Sequence, residues 1–254
     1  MMKSLNRLTV VTGLIVFVSM TFSLHADEDG VLGRQVFEAR KDSVVTLRTV
    51  VGLNFGGGEV ENEQEANATL ISPEGLAVLA LTGVDPAQMI SGLSMGGDDI
   101  SSRIISMRMI LADGSEKPAE VILRDKDLDL ALVRLTEKPE EALPFVDLAE
   151  AGAPEILDNV VCLMQYGRVA RRSHAAFIDR VELIVTRPRL FYALGDHRSR
   201  QTVCSPVFTL QNKLVGVGVM RLLAGDGDRS SDDMMVIIIP AAQIQELVDQ
   251  LPAE

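Results

Sequence analysis

The chain contains no tryptophan, two tyrosines, two cysteines and three histidines among 254 residues. So few thiols and imidazoles leave little material for a zinc site, and neither Cys162 nor Cys204 has the spacing of a metal-ligand pair. Basic clusters are scarce too, because Arg168, Arg171 and Arg172 form the one dense group, which a solvated loop explains. With a net charge of −12, nucleic acid is an unfavourable partner. We therefore expect no metal, no other cofactor and no nucleic acid.

A long apolar run occurs at one place, the N-terminus. Residues 8–24 are mostly apolar and follow Lys3 and Arg7, and the small residue Ala26 precedes an acidic, turn-prone stretch. This pattern predicts a secretory signal peptide over residues 1–26. A retained membrane anchor is the alternative, because the run is close to the lower length limit of a spanning helix. Export to a periplasm or to the exterior is expected. Cleavage after Ala26 would leave 228 residues with a net charge of −14.

Helical periodicity is scarce in the remaining chain. Residues 37–42 are predicted to end a short helix, and a second helix is predicted after Pro240. Its apolar positions fall three and four residues apart on one face: Ile244, Leu247, Val248 and Leu251. Between these helices, short apolar strands recur with turn signals every 8–12 residues or so, a pattern typical of an all-β sandwich or barrel. The sequence GGGEVENEQE, residues 56–65, is predicted as a hairpin tip, and residues 138–154 as a connector between two β halves.

The order of these segments resembles the trypsin-like serine protease fold, and within it the bacterial HtrA/Deg-type proteases. Five segments carry the resemblance: residues 43–48, SVVTLR; 71–84, ISPEGLAVLALTGV; 112–135, ADGSEKPAEVILRDKDLDLALVRL; 201–219, QTVCSPVFTLQNKLVGVGV; and 234–251, MMVIIIPAAQIQELVDQL. The resemblance implies an all-β domain over residues 38–251. Two trypsin-like six-stranded β-barrel halves are expected at about 38–138 and 155–240, with a C-terminal helix and no PDZ domain.

The same resemblance places the family's catalytic triad on three positions of this sequence. The histidine falls at Thr82, the aspartate at Asp129 and the serine at Val203, and the glycine that helps to form the oxyanion hole falls at Gln201. Threonine cannot accept a proton near neutral pH, and valine has no nucleophilic atom. Asp129 is present, but without an imidazole it is interpreted as a turn-capping residue. No family triad residue is therefore expected to be functional.

Two residues next to the serine position remain as alternative nucleophiles. Cys204 is one residue further on, and Ser205 would serve if the turn is shortened. A nucleophilic cysteine needs a lowered pKa, usually from a nearby protonated histidine or a helix N-terminus. His197 is seven residues upstream of Cys204, and His174 is further away. A buried thiol, or a disulfide between Cys162 and Cys204, is the competing interpretation.

These observations predict an exported, non-catalytic relative of HtrA-type proteases. We expect such a chain to bind a polypeptide or partner protein in the cleft between the barrels. Homo-oligomers, or association with an active paralogue, are possible assemblies. An active peptidase that uses Cys204 or Ser205, and a structural component of an envelope assembly, are the two alternatives.

Overall fold

A computed structural model describes residues 28–54, 58–87, 101–195, 200–222 and 234–252. Twelve strands are found in these ranges, and they form two closed antiparallel barrels of six strands each. The predicted all-β class, with two six-stranded halves and a C-terminal helix, is confirmed. The arrangement is consistent with the trypsin-like fold that the resemblance implies.

The first barrel contains strands β1 to β6 in the spatial order β1-β2-β3-β6-β5-β4. Its strands are β1 (Val44–Asn54), β2 (Glu59–Leu70), β3 (Leu76–Ala80), β4 (Ser101–Ile110), β5 (Glu116–Asp125) and β6 (Leu130–Leu135). β1 is rich in β-branched residues, which favour a pleated conformation, and most of its side chains are buried. Residues 136–158 then lead to the second barrel without a named strand.

The second barrel contains strands β7 to β12 in the spatial order β10-β11-β12-β9-β8-β7. Its strands are β7 (Asn159–Gln165), β8 (His174–Val185), β9 (Phe191–Leu194), β10 (Pro206–Thr209), β11 (Leu214–Leu222) and β12 (Met234–Pro240). Pro240 ends β12 and is followed at once by helix α2 (Ala241–Val248). Ile244 and Leu247 are buried on the predicted apolar face, but the helix stops before Leu251.

Helix α1 (Glu28–Arg40) occupies a stretch that was predicted only in part. The turn-prone interpretation of the residues after Ala26 is wrong from Glu28 onward. Acidic residues in the first turn and Arg40 in the last turn suit the helix dipole. Gly33 occupies a buried position, where a Cβ atom would lie 3.1 Å from Ile178 Cδ1. The helical pattern is weak in the sequence because Gly33, not a large apolar residue, occupies this buried position of the helix.

A second difference concerns the hairpin tip predicted at residues 56–65. Strand β2 begins at Glu59 and pairs with β1 along its whole length, from Asn54↔Glu59 to Val44↔Thr69. The polar composition reflects exposure, since the first half of β2 points its side chains to solvent. Polar residues therefore do not mark a turn here.

One large core cluster extends across both barrels. It includes Leu47 and Leu79 of the first barrel, Phe208 and Val217 of the second, and Ile244 of α2. A smaller cluster around Cys162 fills the rest of the second barrel. Because the larger cluster is shared, packing fixes the position of the barrels relative to each other. Within the described ranges, no helix is long and apolar enough to cross a bilayer, and the predicted signal peptide lies outside those ranges.

Candidate functional site

A cleft of about 430 Å³ lies where the two barrels meet. Both Thr82 and Val203, the positions where the resemblance places the base and the nucleophile, line this cleft. Gln201 and Cys204 line it as well. The other lining residues come from both barrels: Thr46, Gln64, Glu65, Ala66, Asn67, Gly83, Met164, Gln165, Tyr166, Gly167 and Met220.

The turn at residues 201–205 is held on strand β11 by backbone hydrogen bonds at Gly218. The Cys204 N–H donates to the Gly218 carbonyl at 2.8 Å, and the Gly218 N–H donates to the Ser205 carbonyl at 3.0 Å. A Cβ atom on Gly218 would lie only 2.0 Å from the Thr202 carbonyl oxygen. This close approach requires glycine, because any larger residue would push the turn away from β11.

The side chain of Cys204 points into the interior of the protein. Its φ of 66° is in the left-handed region, and its residue surface is 4% exposed. The Sγ atom lies 4.0 Å from the Ala80 carbonyl oxygen, and a Cβ atom on Gly83 would be 2.9 Å from it. Burial raises the pKa of this thiol to about 12. Cys204 is therefore a protonated, packed thiol at neutral pH, which disfavours a nucleophilic role.

Ser205 is fully buried. Its Oγ atom donates a hydrogen bond to the Gln201 carbonyl oxygen at 3.4 Å, within the same turn. Its backbone N–H donates to the Thr202 carbonyl at 3.0 Å. A hydroxyl in this position closes the turn and has no surface in the cleft, so a nucleophilic role for Ser205 would require the turn to rearrange.

Thr82, which lines the cleft, is in contact with Asp129, the position where the resemblance places the carboxylate. Thr82 belongs to a 3-10 turn, Leu81–Gly83, directly after β3. The Leu81 N–H donates to the Asp129 backbone carbonyl at 2.8 Å. The carboxyl group of Asp129 in turn accepts hydrogen bonds from the backbone N–H groups of Thr82 and Met220. Asp129 thus connects the turn after β3 to β11 through backbone donors.

Asp129 is also a strained and incompletely satisfied residue. It has a φ of 56°, is 8% exposed, and its Oδ2 atom finds no hydrogen-bond partner among the described residues. Burial raises the pKa of this carboxyl to about 7, against the opposing effect of the Arg221 cation. Asp129 does not line the cleft itself, but it contacts Thr82 and Met220, which do.

One histidine, His174, falls within the described part of the chain. Its Nε2 atom lies 3.0 Å from the Val44 carbonyl oxygen, and it is not among the residues that line the cleft. His197 lies outside the described residues. Among those described, therefore, no imidazole stands beside Asp129.

The two cysteines are free, buried thiols in the structure. Cys162 belongs to the smaller cluster of the second barrel, and Cys204 belongs to the larger one. Burial raises the pKa of Cys162 well above its ordinary value. Within the described ranges, no group of three or more His, Cys, Asp or Glu side chains is placed to hold a metal ion.

Ion pairs at the rim of the cleft were not predicted from the sequence. Arg172 and Arg168 were assigned to a solvated loop, but they form ion pairs with Glu65 and Glu63 of β2. Thr46 also donates to Gln165 Oε1 across the barrels, at 2.5 Å. The glutamates of EVENEQE, residues 59–65, alternate along the chain. This alternation is compatible with the exposed face of a strand and could have predicted β2.

No protein-family model matches this chain, and a search of curated proteins found no match either.

Proposed function

We propose that this chain is an exported, non-catalytic relative of HtrA-type trypsin-like proteases that binds a polypeptide segment in the cleft between its barrels. The proposal is supported above all by one observation. Thr82 and Val203, to which the resemblance assigns base and nucleophile, line the same cleft, and neither side chain can perform that chemistry.

The neighbouring nucleophiles do not replace the missing ones. Cys204 is buried with a raised pKa, and the Ser205 hydroxyl is directed at the Gln201 carbonyl inside the turn. Binding needs neither group, because an extended peptide is held by backbone hydrogen bonds and by pockets for its side chains. A cleft lined by two barrels can therefore retain affinity without bond cleavage.

The cleft has suitable features for an extended segment. Gln64, Glu65, Ala66 and Asn67 of β2 line it, and among the described strands β3 pairs with β2 only at Thr69 and Leu70. The remaining edge of β2 thus has no described strand beside it. Backbone groups at such an edge can pair with an added strand.

The first test measures cleavage and binding of an unfolded substrate in parallel. The purified chain is incubated with reduced, carboxymethylated casein, and its products are compared with those of Val203→Ala. We expect no cleavage beyond that control, together with saturable binding. Gln64→Ala, which shortens a side chain of β2 that lines the cleft, should weaken binding, whereas Glu59→Ala, on the same strand but outside the cleft, should not.

Other results would favour the alternatives. Cleavage that disappears in Cys204→Ala or Ser205→Ala would establish an active peptidase with a displaced nucleophile. If the chain neither cleaves nor binds casein, the result contradicts a peptide-binding cleft. It then favours a structural role in an envelope assembly. The exposed neighbours Ile156 and Leu157 would then be the first surface to test, since exposed apolar residues can mark contact sites.

A further inference from the structure

A loop from the other barrel contacts side chains of β2 at the cleft. This loop, residues 166–173, connects β7 to β8 and is named here the latch loop. Tyr166 and Gly167 of the latch loop line the cleft, as does Glu65. The Gln165 N–H, just before the loop, donates to Asn67 Oδ1 of β2 at 3.3 Å. The latch loop therefore contacts the same segment of β2 that lines the cleft.

Two arginines of the latch loop hold it on β2. Arg172 makes two hydrogen bonds with Glu65, at 2.6 and 3.1 Å, and both side chains are about four-fifths buried, with 21% and 22% exposed. Arg168 reaches Glu63 at 2.8 Å and Glu65 at 3.5 Å. A two-point, partly buried arginine–carboxylate contact is stronger and more directional than an ordinary surface ion pair.

The backbone of the latch loop is in a strained conformation. Arg171 and Arg172 have consecutive φ values of 53° and 56°, a region that non-glycine residues avoid. The Arg172 N–H donates to the Gly167 carbonyl at 3.2 Å, and the Ser173 N–H donates to the Ala170 carbonyl at 3.0 Å. Such strain persists only while the surroundings hold it. Loss of the Arg172–Glu65 contact is thus expected to free the loop from β2 and to relax this turn.

We propose that the Arg172–Glu65 and Arg168–Glu63 pairs form a latch that regulates access to the cleft. With the latch closed, the latch loop stands against β2, and an extended polypeptide has to displace it before pairing with that strand. This regulation rests on the proposed peptide-binding function, because it controls the same cleft.

The effect of substitution on affinity distinguishes a latch from an ordinary binding surface. A ligand that binds only the open form has its apparent affinity reduced by the fraction of molecules that are open. Weakening the latch raises that fraction and so tightens binding. Removing a charged group that simply contacts the ligand would instead weaken binding.

The test removes the charge of each partner separately and then exchanges the two charges in one chain. Glu65→Gln and Arg172→Gln are made separately, together with the charge-reversed pair Glu65→Arg and Arg172→Glu in one chain. We expect each single variant to bind casein about fivefold more tightly, in line with a partly buried pair, and the reversed pair to return toward the unmodified affinity. Amide hydrogen exchange is expected to accelerate at Arg172 and Ser173 in the single variants only.

Glu59→Gln is the matched control, because Glu59 lies on the same strand and pairs with Arg103 at 2.6 Å, away from the cleft. It should change neither affinity nor exchange in the latch loop. Weaker or unchanged binding in Glu65→Gln or Arg172→Gln, with casein bound by the unmodified chain, overturns the latch. If no variant binds casein, the proposed function fails, and the exchange data still decide the latch. Faster exchange than in Glu59→Gln supports it, and equal exchange overturns it.

Discussion

The carboxyl group of Asp129 accepts a hydrogen bond from the backbone N–H of Thr82. This contact joins the turn before β6 to the floor of the cleft, at the two positions where the resemblance places an acid and a base. Among the described residues, Asp129 contacts the backbone of Thr82, and no imidazole stands beside it. What remains is a buried carboxyl group whose charge is opposed by burial and only partly compensated by backbone donors and Arg221.

The raised pKa of Asp129 predicts a specific dependence of stability on pH. The folded chain keeps the Asp129 proton up to a pKa of about 7, whereas the unfolded chain loses it near pH 4. The folded state therefore binds more protons between these values, and the free energy of unfolding falls as the pH rises from about 4 to 7. Asp129→Asn removes this fall and should stabilise the chain by roughly 2–4 kcal/mol at pH 8, but little at pH 4.

Urea unfolding at several pH values, compared between Asp129→Asn and the unmodified chain, measures this difference. Asp127→Asn is the control, because it removes a carboxylate from the same turn whose side chain is 83% exposed. A constant difference between Asp129→Asn and the unmodified chain across the pH range would show that Asp129 is ionised throughout.

Both thiols should resist chemical modification in the folded chain. With a pKa of about 12, only about one Cys204 in ten thousand is a thiolate at pH 8, and the reactive form is the thiolate. Ellman's reagent should therefore react slowly with the native chain and rapidly with two thiols per chain in urea, without added reductant. Fast labelling of the native chain that disappears in Cys204→Ser would instead support a displaced nucleophile.

Gly218 should be intolerant of substitution. A Cβ atom there would meet the Thr202 carbonyl at 2.0 Å, so Gly218→Ala has to move the turn that carries Val203. We expect a loss of about 3 kcal/mol or more in the free energy of unfolding. Gly167→Ala, whose Cβ atom would be 3.9 Å from its nearest neighbour, Glu65 Oε2, should change stability by less than about 1 kcal/mol. Equal effects of the two substitutions would contradict the close packing of the turn on β11.

Replacing Thr69 with an apolar residue of the same shape should raise the free energy of unfolding. Its side chain is fully buried, and its Oγ1 atom finds no hydrogen-bond partner in the described part of the chain. Thr69→Val keeps the shape and removes an unsatisfied hydroxyl, so a gain of about 1 kcal/mol is expected in thermal or urea unfolding. Thr46→Val is the contrast, because it leaves Gln165 Oε1 without its donor and should cost about 1–2 kcal/mol. A loss in Thr69→Val would indicate that its hydroxyl has a partner.

The barrels were predictable because their signals are local. The β-branched run in β1 and the apolar run in β12 predict strands, and Pro240 followed by Ile244 and Leu247 predicts the closing helix. Helix α1 was only partly predictable, since Gly33 hides its buried face. Strand β2 was partly assigned to a hairpin tip, because its exposed residues carry no apolar alternation and its stability comes from pairing with β1.

The sequence by itself determined which groups are available for chemistry, because the identity of a side chain fixes whether it can accept a proton or attack a carbonyl. Threonine at 82 and valine at 203 are such facts, and no folding changes them. The tertiary structure decided the environment of the remaining groups. It buried Cys204 and Asp129 and thereby raised both pKa values, and it paired Arg172 with Glu65, 107 residues away. Burial and long-range pairing depend on contacts between distant segments, which a local pattern of residues does not specify.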